Sequence, residues 1–184
     1  NNQVGLISGK FNVQGEGFDV NTMYIKTKSD VAHIELMGKN LNNIAIDGVL
    51  NKKRFTGNVV ANDPNAKGIF KGIVDFSTKR LFADFNADIQ YVNLKYFGIS
   101  AGDTNSVSGL VHGKVSMTNL NDLNLDADIK GLTLNSSKQK LHIPDSKLKA
   151  FFENGNRIVS VDAPGTVTGK ISGRFNLEDI GNMV

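Results

Sequence analysis

The feature that most limits what this chain can fold into is a two-residue period, restated in one strand-sized piece after another. Between Val31 and Gln90 it reads as five short strands, with a turn signal after nearly every one. The clearest piece runs Leu81-Phe82-Ala83-Asp84-Phe85-Asn86-Ala87-Asp88-Ile89-Gln90. Its odd positions are Leu, Ala, Phe, Ala and Ile, and from 84 its even positions are Asp, Asn, Asp and Gln. Side chains alternate across a strand, so one face is apolar and the other wet. Phe82 is the one violation. A sheet with one apolar face must hide that face or use it.

The same spelling extends to both sides. Val4 to Gln14 alternates through Ile7, Gly9, Phe11 and Val13, and Gly15-Glu16-Gly17 breaks it. Asn21 to Lys28 follows, then a turn at Ser29-Asp30, a strand from Val31 to Met37, and a stop at Gly38-Lys39-Asn40. Asn43 to Asn51 and Arg54 to Asn62 flank a hairpin-length break at Lys52-Lys53. Asn62-Asp63-Pro64-Asn65 is a turn by residue chemistry, because Asp and Asn bond their own backbone and Pro presets φ. Lys67 to Phe76 carries Phe70, Val74 and Phe76 on one parity, with Ile69 and Ile73 on the other.

Val92 to Ile99 reads equally as one helical turn or a bent strand, and Ala101 to Ser106 as a loop. Long strands are expected over Val107 to Thr118 and Asn119 to Ile129, with Leu132 and Leu134 continuing and Asn135-Ser136-Ser137 turning. Lys138 to Ile143 stops at Pro144. Ser146 to Glu153 and Arg157 to Ala163 flank Asn154-Gly155-Asn156, a strong hairpin signal. Pro164-Gly165 leads into Thr166 to Leu177. About a dozen strands joined by short turns make an all-β antiparallel meander, with almost no helix.

Three strands echo one another. Ile7-Ser8-Gly9-Lys10-Phe11-Asn12 closely matches Ile171-Ser172-Gly173-Arg174-Phe175-Asn176, and Val107-Ser108-Gly109 opens the same way. The spacings are unequal, so there is no strict solenoid register. Alternating glycines on an apolar face permit sheet curvature, close approach of a ligand, or both.

Composition narrows the function classes. With 40% apolar and 21% charged residues the chain is globular. A net charge of +3 makes no case for nucleic acid, and Lys52-Lys53-Arg54 reads as a solvated turn. There is no Cys, so disulfides and thiolate metal sites are excluded. No run of 18 apolar residues spans a membrane, and no signal peptide is visible. The chain opens at Asn1 almost directly into a strand and stops at Val184, which reads as one segment, residues 1–184, cut from a longer protein; any sub-boundary falls near 100–106.

The search for chemistry is thin. His33, His112 and His142 sit in separate strands without paired spacing. Gly165 to Ser172 superficially matches a phosphate loop but is one residue short, with Ile171 after Lys170. Asp126 to Gly131 superficially matches a calcium loop but puts Lys130 where an oxygen ligand is needed. Asp84 and Asp88 share a strand face about 13 Å apart, too far to share a proton. No catalytic residue, metal site or cofactor is expected, and an enzyme is not supported.

The order and spacing of several motifs resemble a known family. Asn62-Asp63-Pro64-Asn65, then Phe70-Lys71-Gly72-Ile73-Val74-Asp75-Phe76, then Phe82-Ala83-Asp84-Phe85-Asn86-Ala87-Asp88-Ile89, is similar to a repeating unit of the TamB family, within the AsmA-like group of bridge-like lipid transfer proteins. Ala163-Pro164-Gly165-Thr166-Val167-Thr168-Gly169-Lys170-Ile171-Ser172-Gly173-Arg174-Phe175 resembles it too, so the likeness covers roughly Ile7 to Leu177. The resemblance implies a β-taco, a half-barrel whose concave face is an apolar groove. It implies a periplasmic setting, with an inner-membrane anchor in a segment absent from this chain. It implies partnership of the full-length protein with an outer-membrane barrel of the Omp85 type. It also implies phospholipid movement between membranes, or autotransporter and outer-membrane protein assembly and secretion.

Within that picture parity nominates groove-lining residues: Ile44, Ile46, Leu50, Phe55, Val59, Phe70, Val74, Phe76, Leu81, Phe85 and Ile89, and from the second half Val111, Val115, Ile171 and Phe175. The ligand is a phospholipid or another acyl chain, and burying its CH₂ groups, about 0.8 kcal/mol each, requires no specific polar contact. An open edge strand templating a client strand is an alternative within the same reading. The competing reading is a structural β-sandwich or adhesin-type module with no ligand groove. A glycan-binding or hydrolase domain would want Trp or Tyr and paired carboxylates, and the chain has no Trp and three Tyr.

Overall fold

A computed structural model describes residues 4–36, 38–98 and 104–176. The strands are β1 (Val4–Glu16), β2 (Tyr24–Leu36), β3 (Lys39–Asn51), β4 (Arg54–Asp63), β5 (Ala66–Asp75), β6 (Leu81–Asn93), β7 (Thr104–Met117), β8 (Asn124–Ser136), β9 (Lys140–Ile143), β10 (Ser146–Glu153), β11 (Asn156–Ala163) and β12 (Val167–Gly173). All belong to one antiparallel sheet, laid down in chain order from β1 to β12. β9 and β10 lie end to end beside β8, because Pro144 has no N–H to donate to the ladder. The sheet does not close. It is an open meander curled into a half-barrel, and a sandwich of two packed sheets is not formed.

Pairing extends several strands beyond their expected ends. Ser29-Asp30 is no turn: β2 runs through it, with Ser29 buried between Phe11 of β1 and Ile46 of β3. Their neighbours on both sides satisfy the backbone that small polar residues would otherwise bend. Lys39 and Asn40 already belong to β3, and Thr104 to Ser106 to β7 rather than to a loop. Residues 101–103, Met37, Ile99 and Leu177 lie outside the described residues. Val92 and Asn93 end β6, and 94–98 is a turn. At the start of the strand expected from Asn119, Leu120–Asp122 is instead a 3₁₀ turn. β12 ends at Gly173, four residues before the expected limit.

The tight turns follow residue chemistry. Asn154 and Gly155 take the left-handed pair, φ 51° and 76°, of a two-residue hairpin. Lys52 and Lys53 take the same conformation at 47° and 66° without a glycine.

One end of the sheet is tied by Asp63, which is 1% exposed. Its carboxylate accepts from the Asn42 N–H (2.8 Å), the Asn42 amide (3.1 Å) and the Asn65 N–H (2.7 Å), joining β3 to the β4–β5 hairpin. Tyr96, in the turn after β6, donates to the Asn40 carbonyl (2.6 Å) and accepts from the Asn40 N–H (3.0 Å). That contact spans three ladder steps, about 14 Å in a flat sheet.

The accessible surface is 11,935 Å². A compact monomer of this mass exposes about 8,700 Å². The excess is what one uncovered layer produces. Replacing Asp63 by Ala leaves two backbone N–H groups and an amide without their acceptor. It is expected to cost about 1–3 kcal/mol, read as a lowered urea midpoint at unchanged slope.

Candidate functional site

Register carries the apolar parity of each strand onto the next without interruption. Leu50, Phe55, Val74, Ala83, Val115, Leu125, Ala150, Val159 and Ile171 form one cross-sheet row. A second row is Ile46, Val59, Phe70, Ala87, Val111 and Ile129. A third is Val31, Ile44, Ala61, Gly68, Ile89 and Gly109. Thus Ile44, Ile46, Leu50, Phe55, Val59, Phe70, Val74, Phe85, Ile89, Val111, Val115 and Ile171 all fall on one face. Leu81 opens the same face at its rim, opposite Met117. Phe76 and Phe175 lie past the ends of β5 and β12, and Phe76 is largely exposed. Ile171, on the edge strand, is 52% exposed.

Between the first two rows runs a glycine-rich row: Gly48, Gly57, Gly72, Phe85, Gly113 and Ala127. These glycines are seats for rings. A β-carbon on Gly48 or Gly57 would lie 2.7 or 2.8 Å from the Phe55 ring, and one on Gly113 2.8 Å from the Phe85 ring. Phe85 also stacks on Phe70, centroids 5.2 Å apart and planes at 28°. The rings therefore lie down along the sheet. Ile25, Val31, Leu125, Ile129, Leu148, Val159 and Val161 join this face although parity had not nominated them. The alternation of each strand contained that signal, but only the register shows which parity is shared.

The opposite face is polar. Asp47, Asn58, Lys71, Asn86, His112, Asp128, Lys147 and Asp162 form its central row. The carboxylates noted in the sequence serve here: Asp84 pairs with Lys114 (3.5 Å), Asp126 with Lys149 (3.2 Å) and Asp128 with Lys147 (2.7 Å). Ile69 also belongs to this face, 39% exposed between Val60 and Asp88. Each histidine meets one side chain of the adjoining strand: His33 and Asn42 at 3.0 Å, His112 and Asn86 at 3.1 Å, His142 and Thr133 at 2.9 Å. Among the described residues no three His, Asp or Glu side chains converge on a metal-sized site. A hollow of about 560 Å³ beside Lys10, Asp30, Ala32, Ala45, Val60 and Asn62 is on this polar side. It is a gap between surface side chains, whereas the apolar face presents the continuous cross-sheet rows described above.

The rim opposite the Asp63 cluster is built by two arginines. Arg80 donates to the Ser116 hydroxyl (2.5 Å) and carbonyl (2.9 Å), and to the Asp122 carboxylate (2.7 Å) and carbonyl (2.9 Å). Arg157, 1% exposed, donates to the Leu123 carbonyl (3.3 Å) and the Asn121 carbonyl, with its guanidinium 4.2 Å from the Phe152 ring centroid. Burial pushes the Arg157 pKa down, opposed by the Asp122 carboxylate. Neither arginine was nominated from sequence, because a lone Arg in a strand or a bend carries no local signal.

No family model, curated protein or solved structure matches this chain. What distinguishes this face is its geometry: apolar rows on one side of an open all-β sheet, with no second layer over them among the described residues.

The Asp122 carboxylate is held down to about 2 by the Asn119 and Thr118 backbone N–H groups, with Arg80 adding charge. Its folded value lies below its ordinary 3.8. The stability it contributes is therefore complete above that value and lost as pH falls toward 2. The Thr118 and Asn119 amide resonances are expected to move together over that window, and an Asp122→Asn variant to show no such transition.

Proposed function

We propose that this chain is a segment of a TamB-like protein whose apolar trough receives acyl chains, shielding phospholipid or another apolar client from water as it passes along the sheet. One observation carries the reading: apolar side chains remain in register from strand to strand, and among the described residues no second layer covers them. A core face would be packed against an equal partner. A face evolved only for solvent would not repeat Val, Ile, Leu and Phe at the shared parity of nearly every strand. Acyl chains need surface and no directional partners, so a site without catalytic or metal chemistry is what such cargo requires. The periplasmic setting, the inner-membrane anchor elsewhere in the parent protein and the Omp85-type barrel partner are proposed on the motif likeness.

Photo-crosslinkers at Val59 and Asn58, adjacent in β4 but on opposite faces, test the reading. Incubated with phospholipid vesicles, the Val59 probe is expected to capture lipid and the Asn58 probe not. Equal capture from both would sink the proposal. Phe85→Asp places a charge in the trough and is expected to reduce co-purifying lipid, seen by native mass spectrometry, at least about tenfold while the β-sheet circular dichroism persists. Loss of the β signal instead would mean that the face is needed as core.

A further inference from the structure

We propose that the corner where β10, β11 and β12 end, around Arg157 and Arg174, binds the phosphate oxyanion of an amphiphile's headgroup whose acyl chains lie in the trough. This rests on the trough reading above and adds a place where the ligand's polar end is held.

A hollow of about 380 Å³ opens at that corner, lined by Asn121, Phe152, Arg157, Gly173, Arg174 and Phe175 among others, none of them acidic. Arg157 shares the trough face, since it pairs with Phe152 on one side and Gly173 on the other. Its terminal nitrogens are spent on neutral backbone carbonyls, and its buried Nε has no hydrogen-bond partner among the described residues. The nearby carboxylate, Asp122, is already engaged by Arg80 at 2.7 Å and by the Thr118 and Asn119 N–H groups. A buried cation whose nearest carboxylate is bonded to another guanidinium is under-compensated, and an anion brought beside it recovers part of the cost of burying it.

Arg174 sets a second guanidinium at the same hollow, exposed and without a carboxylate within salt-bridge distance among the described residues. Two guanidiniums suit the oxygens of a phosphate better than a point charge would. Gly173 contributes no side chain beside Arg157, and the Phe175 ring lies 3.7 Å from where its β-carbon would be. Two residues further along β11 the trough turns apolar, at Val159 between Ala150 and Ile171. That step is about 7 Å. Cation at the rim and oily rows beyond it reproduce the polarity of a phospholipid from headgroup to tail.

The test titrates the full chain with three probes: dihexanoyl phosphatidylglycerol below its micelle concentration, dihexanoylglycerol as its uncharged counterpart, and inorganic phosphate. Affinity comes from calorimetry and location from the Gly155 and Gly173 amide resonances. The phosphatidylglycerol is expected to bind about tenfold tighter than the neutral lipid, shifting both glycines. Arg174→Gln is expected to remove most of that advantage, about a tenfold loss for the charged lipid against under about twofold for the neutral one. Because Arg174 is exposed, this variant tests the site even if Arg157→Gln does not fold. Equal affinity of the two lipids for the unaltered chain overturns the proposal, as does an equal loss of both in Arg174→Gln. Inorganic phosphate binding as tightly as the lipid makes the free anion the ligand and overturns the headgroup assignment. If phosphate shifts the two glycines while neither lipid binds, the corner stands as an anion site and the trough reading fails.

Discussion

A one-residue slip in any of the eleven strand pairings would send every side chain of that strand to the opposite face. In a two-layer protein the second layer would resist such a slip. Here the ladder must resist it alone. Tight turns do part of this: the left-handed pairs at Lys52–Lys53 and Asn154–Gly155 fix the offset of the strands they join. Cross-strand ion pairs on the polar face do another part. Exposed pairs such as Asp128–Lys147 each add little, because water screens them. A slipped register would replace them with a lysine or aspartate against the oily rows, which costs far more.

Register also explains the glycines. Four of them, Gly48, Gly57, Gly72 and Gly113, share one row of the apolar face, where the Phe55 and Phe85 rings lie across Gly48, Gly57 and Gly113. Rings folded onto the backbone cover main chain that would otherwise face the trough. They also keep the surface low, so the trough is smooth along its length. The bent line of the sheet passes through the irregular pairings near Gly9, Gly68, Ile89 and Gly109, where bulges add local twist and curvature. Curvature and ring seating thus use different glycines of the same strands.

The two rims differ in chemistry, and that difference gives the trough a direction. One rim is closed by amides, a buried carboxylate and the Tyr96 bridge, a set of groups that satisfy one another. The other carries Arg80, satisfied by Asp122, and Arg157, left with only neutral acceptors. The apolar surface is thus bounded by self-satisfied polar groups on one side and an under-compensated cation on the other.

Strand identity and number were legible because alternation is local: Leu81 to Gln90 spells its two faces without help from any other segment. The turns at 52–53, 62–65 and 154–156 were legible for the same reason, since their conformations are set by the residues within them. Ser29-Asp30 misled because its turn chemistry is equally local, yet both neighbours of β2 offer hydrogen bonds that outweigh it. The start of β7 at Thr104 and the 3₁₀ turn at Leu120–Asp122 were hidden because pairing partners and the Arg80 contacts decide them. Ile69 and Ile73 could not be placed from their own strand, since both parities there are apolar, and pairing with Val60 and Asp88 puts Ile69 outside. By itself, then, the sequence determined that the chain is all strand, one-sided and joined by short turns, because those properties depend on neighbours one to four residues away. Which parity is shared across the sheet, that no described residue forms a layer over it, and that Arg157 sits buried at its rim were decided only by the tertiary structure. Each depends on residues tens of positions apart meeting in one register.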